Sequence, residues 1–341
     1  MTTTGLSHSR AIPLYVHFVS ALLAVCYLWY VANLREPVVA HQIMPALFGL
    51  AISIAVPGSA FVSLYLLGRN ADGKTVPIVL QRLARFAFAA PPLFVALGLL
   101  MHFMKIAIAD AKVWVGVAAM ILCGGFLTFI SDSQKIRGAP TRVAFGSVLV
   151  MLGVASGAII LVLLLPYLGD HLIALSGTER YNAAIFVFQH LYRVGVVEPV
   201  VIALFLVQIL SGLVLTVWKI GARWSLQDAL QTVSGVYLVM FVASHVSAVF
   251  VFTRYLDGGL EYSRALGVPE GLLANAWNGW LIPHYGIGIL LVLLHIASGL
   301  RTVMLADEIH LRVANTICWA AIGAGTIWAA LIIAGMAGLR L

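Results

Sequence analysis

The sequence has 341 residues, of which 62% are hydrophobic and only 10% are charged. Soluble domains carry about 25% charged residues, so this composition excludes a soluble globular protein. The formal net charge of +7 does not indicate a nucleic-acid partner, because the basic residues fall mostly between apolar segments.

Apolar segments long enough to cross a hydrocarbon core of about 30 Å recur from one end of the chain to the other. We therefore predict an all-α polytopic membrane protein whose main partner is the lipid bilayer. The first segment exceeds the apolar part of a signal peptide, so we expect it to be a retained helix. About nine transmembrane helices are predicted, at 12–33, 43–68, 83–104, 113–131, 142–167, 184–218, 230–253, 281–303 and 314–338.

The basic residues between the predicted spans indicate an orientation. Assigning them to alternate loops gives twelve on the side of the N-terminus and seven on the other side. Cytoplasmic loops are enriched in Lys and Arg, so the N-terminus is predicted to be cytoplasmic. We expect a multi-pass protein of a bacterial-type inner membrane.

Two pairs of similar segments indicate a degenerate repeat. The pattern Q-x-L-x-R-x5-P begins at Gln81 and again at Gln189, and G-x2-L-V-x-L-x-[VI]-A-S-G begins at Gly146 and again at Gly288. Spans three to five would then correspond to spans six to eight as an inverted three-helix repeat. Chance similarity between apolar helices is the alternative. We interpret residues 1–175 as a five-helix scaffold and residues 176–341 as a four-helix cofactor-binding region.

Four histidines of the second unit are the main candidates for a functional site. They are predicted inside spans six to eight, where an ionisable or ligating side chain is costly and usually functional. Neutral imidazole is the usual axial ligand of a haem iron that transfers electrons. The candidate ligands of haem b are His190, His245, His284 and His295. No catalytic residue is predicted.

The spacing of His284 and His295 indicates two ligands on one helix. They are eleven residues apart, which leaves them within about 20° of one helix face and about 16 Å apart along it. This separation suits two haems on opposite sides of the membrane. We favour pairing His190 with His284 and His245 with His295, and His190 with His245 is also open. The alternative is that these histidines join helices by hydrogen bonds.

Charged residues near these histidines have two interpretations. Arg193 and Arg301 are candidate partners of haem propionates, although Arg301 also fits an ordinary cytoplasmic helix end. Glu198 is either the partner of Arg193 or a proton-relay carboxylate. The segment from Leu256 to Trp280 is predicted to be an interfacial helix that caps the outer haem, lines a quinone path or only anchors the chain.

The segment from Leu294 to Arg301, with its pattern H-x3-G-L-R, resembles the membrane-anchor cytochromes b of succinate dehydrogenase and fumarate reductase. The resemblance implies that His295 ligates haem b, and it makes quinone a candidate ligand and a dehydrogenase a candidate partner. The family's histidine–aspartate ending is missing, because Thr302, Val303 and Met304 follow Arg301. Its quinone motif is not recognisable, and its three to six spans are fewer than those predicted here.

The leading hypothesis is an electron-transfer subunit of a membrane redox complex, a b-type cytochrome with one or two haems. Quinone or a partner protein would exchange electrons with it, and whether the subunit is itself an enzyme stays open. A secondary transporter built from inverted repeats is the first alternative. A haem-bearing membrane scaffold or sensor is the second alternative.

Overall fold

The computed structural model describes residues 17–27, 43–69, 78–131, 146–192, 194–218, 225–247, 281–336 and 339–341. Within these ranges the regular structure is helical and no strand occurs. The predicted all-α class is therefore confirmed for the described part of the chain. The predicted interfacial helix from Leu256 to Trp280 lies outside the described residues.

Eleven α-helices and one short 3₁₀ turn are described. The turn, His171–Ser176, directly follows the sixth helix. The helices are α1 Phe18–Val25, α2 Ile43–Arg69, α3 Ile78–Phe88, α4 Ala90–Phe103, α5 Asp110–Ile130, α6 Gly146–Asp170, α7 Thr178–Tyr192, α8 Val197–Trp218, α9 Leu226–Val246, α10 Leu281–Ala306 and α11 Leu311–Met336.

Seven of the described helices are long and apolar enough to cross a membrane, or up to eight when the bent pair α3–α4 is taken as one span. The chain is thus an all-helical, multi-pass membrane protein. Of the predicted first span, only Phe18–Val25 is described as α-helix. The prediction of nine spans stays a prediction, because half of that first segment, 12–16 and 28–33, lies outside the described residues.

Two predicted spans contain a helix break. In the third, α3 and α4 meet at Ala89 with a bend of 66°. The predicted sixth span, 184–218, is not one helix, because α7 ends at Tyr192 and α8 begins at Val197. Each break precedes the proline of the Q-x-L-x-R-x5-P pattern, Pro91 or Pro199, which lies in the first turn of the next helix. Proline suits the first turn of a helix because it has no backbone N–H. An N–H at that position would have no carbonyl partner within the helix.

Both halves of the chain contribute to one hydrophobic core. Its buried side chains come from α1 to α5 and also from α9 and α10. Phe88 of α3 and Tyr237 of α9 meet edge to face, with ring centroids 5.7 Å apart. The indole N–H of Trp114 donates to the carbonyl oxygen of Ala24, 3.1 Å away. Helix α9 therefore lies between the N-terminal helices and α10.

Helices α6 and α8 form a peripheral pair. Large apolar side chains of both helices are exposed, among them Val162 and Leu210, as expected of surfaces that face lipid. The hydroxyl of Ser156 donates to the side-chain oxygen of Gln208, 2.8 Å away. This bond satisfies two polar groups where no water is present to do so.

Candidate functional site

Helices α9 and α10 approach closely at one end of the bundle. Helix α9 begins with a capping box. The Ser225 hydroxyl accepts from the backbone N–H of Asp228, and the Asp228 carboxylate accepts from the backbone N–H of Ser225. Near its other end, the ring of Phe241 fills the space where a side chain on Gly288 of α10 would lie. The glycine lets the two helices approach, so the end of α9 lies beside the start of α10.

This approach brings His245 and His284 into one cluster. Both imidazoles lie against Phe241, with ring centroids 6.0 Å from it for His245 and 5.0 Å for His284. Tyr285 contacts both from another side, at 5.9 Å and 5.2 Å. The two histidines thus share the same aromatic neighbours on facing helices.

The cluster leaves two ring nitrogens unsatisfied. His284 is only 1% exposed, and its Nδ1, like that of His245, is buried without a hydrogen-bond partner among the described residues. A buried polar atom without a partner costs about 1–3 kcal/mol. A ligand that uses the nitrogen lone pairs would remove this cost, and a metal centre is such a ligand.

The number of available ligands limits the kind of metal centre. Among the described residues, no group of three or more His, Cys, Asp or Glu side chains could hold a metal ion. Haem needs fewer protein ligands, because the porphyrin supplies four nitrogens and the protein only the axial ones. Among the described residues, the two buried imidazoles on neighbouring helices could hold a group that needs only two protein ligands.

A group from α6 and the following turn completes the surroundings of His245. The hydroxyl of Tyr167 forms a hydrogen bond with Nε2 of His245, 2.8 Å away. His171 Nδ1 lies 2.8 Å from the carbonyl oxygen of Tyr167 and also contacts the Asp170 carboxylate. Both of these atoms are acceptors, so Nδ1 of His171 carries the proton and donates to them.

His295 lies at a different level of the bundle. Its Nδ1 is 2.9 Å from the hydroxyl of Ser234, and its Nε2 is 3.2 Å from the amide nitrogen of Gln231. Ser298 donates its hydroxyl to the side-chain oxygen of Gln231. Both ring nitrogens of His295 therefore have partners on α9, unlike those of His284.

The structure does not bring His295 to His245. Ser234, the residue that His295 contacts, precedes His245 by eleven residues on α9, a rise of about 16 Å. The pair that shares neighbours is His245 with His284. His190, the partner favoured for His284 from the sequence, is exposed near the end of α7, with its ring 4.6 Å from Phe186.

The structure describes only one of the two arginines that were predicted to bind haem propionates. Arg193 lies outside the described residues, so its predicted pairing with Glu198 does too. Arg301 donates from Nε to the side-chain oxygen of Asn315, 2.7 Å away on α11. This arginine links the ends of α10 and α11.

The sequence alone did not single out His171, which is buried. It is 7% exposed and its neighbour Asp170 is 3% exposed, because the 3₁₀ turn packs against α6, α7 and α11. Sequence reasoning also missed Tyr167. The available signal was an acid–histidine pair directly after a long apolar segment, four residues beyond a tyrosine on the same helix face.

No protein-family model, curated protein or solved structure matches this chain. The functional proposal therefore depends on the residues of the site and on their geometry.

Proposed function

We propose that the chain is a membrane b-type cytochrome that binds haem b between His245 and His284. The observation that carries the proposal is His284, a histidine that is 1% exposed and whose Nδ1 has no partner among the described residues. In a membrane bundle such a group is rare and usually functional. Its neighbour on the facing helix has an unsatisfied Nδ1 as well.

When bound, haem would supply reversible one-electron transfer at its iron. His245 and His284 would hold it, and Phe241 and Tyr285 would form an apolar wall against both imidazoles. A haem held by two histidines would serve electron transfer rather than oxygen chemistry. The chain would therefore act as the electron-transfer subunit of a membrane redox complex, with quinone or a partner protein as the electron donor or acceptor.

The second haem indicated by the spacing of His284 and His295 stays a prediction. His295 is the candidate ligand by resemblance, but ligation would require one of its bonds to Ser234 or Gln231 to be given up. Arg301, the other residue near this level, is bonded to Asn315. The proposal therefore rests on the His245–His284 site alone.

Absorbance spectroscopy on variants tests the proposal. The purified chain should give a dithionite-reduced minus oxidised spectrum of a b-type haem, and His284→Ala or His245→Ala should abolish the signal of that haem. His310→Ala is the matched control, because His310 is exposed between α10 and α11. Wild-type protein without haem, made with ample haem supply, would refute the proposal.

Secondary transport is the second candidate, and the helix breaks favour it. Transporters with inverted repeats use broken helices to form substrate sites, and here α3–α4 and α7–α8 are broken within the two copies of one sequence pattern. However, α3 packs mainly against α1 and α2, whereas α7 packs mainly against the 3₁₀ turn. A transporter's site draws on both repeats, so substrate flux through haem-free protein in vesicles would be needed to prefer this candidate.

A further inference from the structure

Helices α6 and α8 are antiparallel neighbours, and their contacts show at which level each one ends. A side chain on Gly153 of α6 would meet Ser211 of α8. One turn further along α6, Ser156 donates to Gln208, which precedes Ser211 by three residues. Residue numbers therefore fall along α8 as they rise along α6. The same pairing places Val197, the first residue of α8, beside the last turn of α6.

Helix α7 connects two helix ends that lie at the same level. Both α6 and α8 are long and apolar enough to cross a membrane, and as antiparallel neighbours they cross it in opposite directions. The segment between them, which contains α7, thus begins and ends on one side of the membrane. With 15 residues, α7 is about 22 Å long, too short to cross a hydrocarbon core of about 30 Å.

The contacts of α7 show that it is tilted away from the axis of α6. Tyr181 and Tyr192 are eleven residues apart, about 16 Å along α7. Their rings contact those of His171 and Tyr167, with centroids 6.3 Å and 6.1 Å apart. These two partners are only four residues apart, at the end of α6 and in the turn after it. Helix α7 therefore runs across the end of α6 rather than parallel to it.

The surface of α7 that does not contact the bundle carries two rows of exposed residues. The apolar residues recur every four positions and therefore share one side of the helix: Ala183, Val187 and Leu191. The polar residues form the row beside it: Glu179, Asn182 and His190. Val187 and Leu191 are 64% and 55% exposed. Adjacent apolar and polar rows are typical of a helix that lies in the membrane interface.

We infer that α7 is an interfacial helix that lies at the membrane boundary, where lipid headgroups meet the acyl chains. The apolar row faces the acyl chains, and the polar row faces the headgroups. Lipid covers the exposed side of α7, because the two membrane-crossing helices that flank it end and begin at this boundary. Helices of this kind bury their apolar side about 5–10 Å deep. The inference does not depend on haem binding.

Measuring the depth of spin labels along α7 tests the inference. Single cysteines are introduced as Ala183→Cys, Val187→Cys and Leu191→Cys in the full chain, after its own three cysteines are replaced by alanine. The labelled protein is placed in lipid vesicles, and collisions of each label with oxygen and with a water-soluble nickel chelate give its depth. We expect all three labels at one depth, just below the headgroups.

The matched control uses the same spacing on the exposed side of α8. Leu206→Cys, Leu210→Cys and Val214→Cys lie on a helix that crosses the membrane, so their depths should differ by about 1.5 Å per residue. A similar gradient along α7 would overturn the inference. Labels on α7 that meet only the nickel chelate would place this side in water, and labels that meet neither reagent would show that protein covers it. Either result would also overturn the inference.

Lysine substitutions in the otherwise unchanged chain provide a second measurement. A lysine at the boundary extends its charged end to the headgroups, so Val187→Lys should keep the unfolding temperature and the yield of folded protein. Leu210 is as exposed as Val187 but lies near the middle of α8. A charge there is costly, so Leu210→Lys should lower both quantities. Equal losses in the two variants would contradict a boundary position for α7.

Discussion

His284 and His295 show how differently two histidines on one helix can be satisfied. The Nδ1 of His284 is buried with no partner among the described residues, whereas His295 bonds through both ring nitrogens to α9. A histidine that serves only to join helices should resemble His295. The unsatisfied nitrogen of His284 is therefore the stronger indication of a ligand.

Replacing His284 with phenylalanine should separate stability from function. The apolar ring removes a buried unsatisfied group, so we expect His284→Phe to stabilise haem-free protein by about 1–3 kcal/mol. The same variant should not bind haem at the His245–His284 site. Thermal unfolding of haem-free protein in detergent and haem titration would measure both effects. Lower stability of the haem-free variant would show that His284 is already satisfied.

Replacing His295 with alanine should lower stability and leave haem binding at the His245–His284 site intact. The change leaves Ser234 and Gln231 without their histidine partner inside the bundle, so we expect a loss of about 1–3 kcal/mol in stability. The haem signal of the His245–His284 site should remain. Haem content and unfolding temperature, compared with those of His310→Ala, would test this. Loss of all haem in His295→Ala would mean that His295 is an essential ligand.

At this scale the sequence singled out the histidines inside the apolar spans but not the residues that surround them. His245 and His284 stood out because polar side chains inside apolar spans are rare. Their pairing depends on which helix ends meet, and the end of α9 lies beside the start of α10. Tyr167 and His171 were missed because an apolar segment followed by a polar pair resembles an ordinary helix end.

At the scale of elements, the candidate site requires α9 and α10 to lie close together. Phe241 of α9 occupies the space beside Gly288 of α10, and it contacts both His245 and His284. The distance between these two helices therefore determines the distance between the two candidate ligands. A glycine at this position is needed for the site as well as for packing.

The variant Gly288→Ala should disturb both the packing of α9 against α10 and the candidate site. A methyl group there would overlap the ring of Phe241, and overpacking of this kind costs about 1–3 kcal/mol. We expect a lower unfolding temperature and weaker haem binding. In the control Gly286→Ala, the new methyl group would meet only the terminal carbon of Ile333, at 3.4 Å. Equal effects of the two changes would contradict the proposed role of the close contact.

Helix breaks were harder to predict than helices. Long apolar segments predicted the spans, and each predicted span overlaps a described helix. The breaks at Ala89 and after Tyr192 were not predicted, although Pro91 and Pro199 lie just beyond them. The hydrophobicity of a segment indicates whether it crosses the membrane, but it does not depend on the direction of the helix axis. The bend of 66° between α3 and α4 therefore could not be predicted from hydrophobicity.

At the scale of the whole molecule, one hydrophobic cluster includes residues of both halves, 1–175 and 176–341. Its buried residues come from α1 to α5 and from α9 and α10, and α9 contacts helices of both halves. The sequence predicted different roles for the two halves because all four candidate histidine ligands lie in the second. The structure adds that the N-terminal helices pack against α9, one of the two helices that carry the candidate site.

The number of spans determines on which side each chain end lies. Nine spans result if α1 belongs to the predicted first span and α3–α4 crosses once, and an odd number places the two ends on opposite sides. We expect a C-terminal alkaline phosphatase fusion to be active outside the cytoplasm and an N-terminal fluorescent protein to be bright inside it. Both ends on the same side would require an even number of spans and would reverse the predicted direction of some helices.

The most direct test of the central claim is the amount of haem b per chain. A pyridine haemochrome assay on the wild type and on the double variant His245→Ala, His284→Ala provides it, with folding monitored by helical circular dichroism. The account predicts at least one haem b per wild-type chain and the loss of one haem from a double variant that is still folded. Equal haem content in the two proteins, or no haem in the wild type, would contradict it.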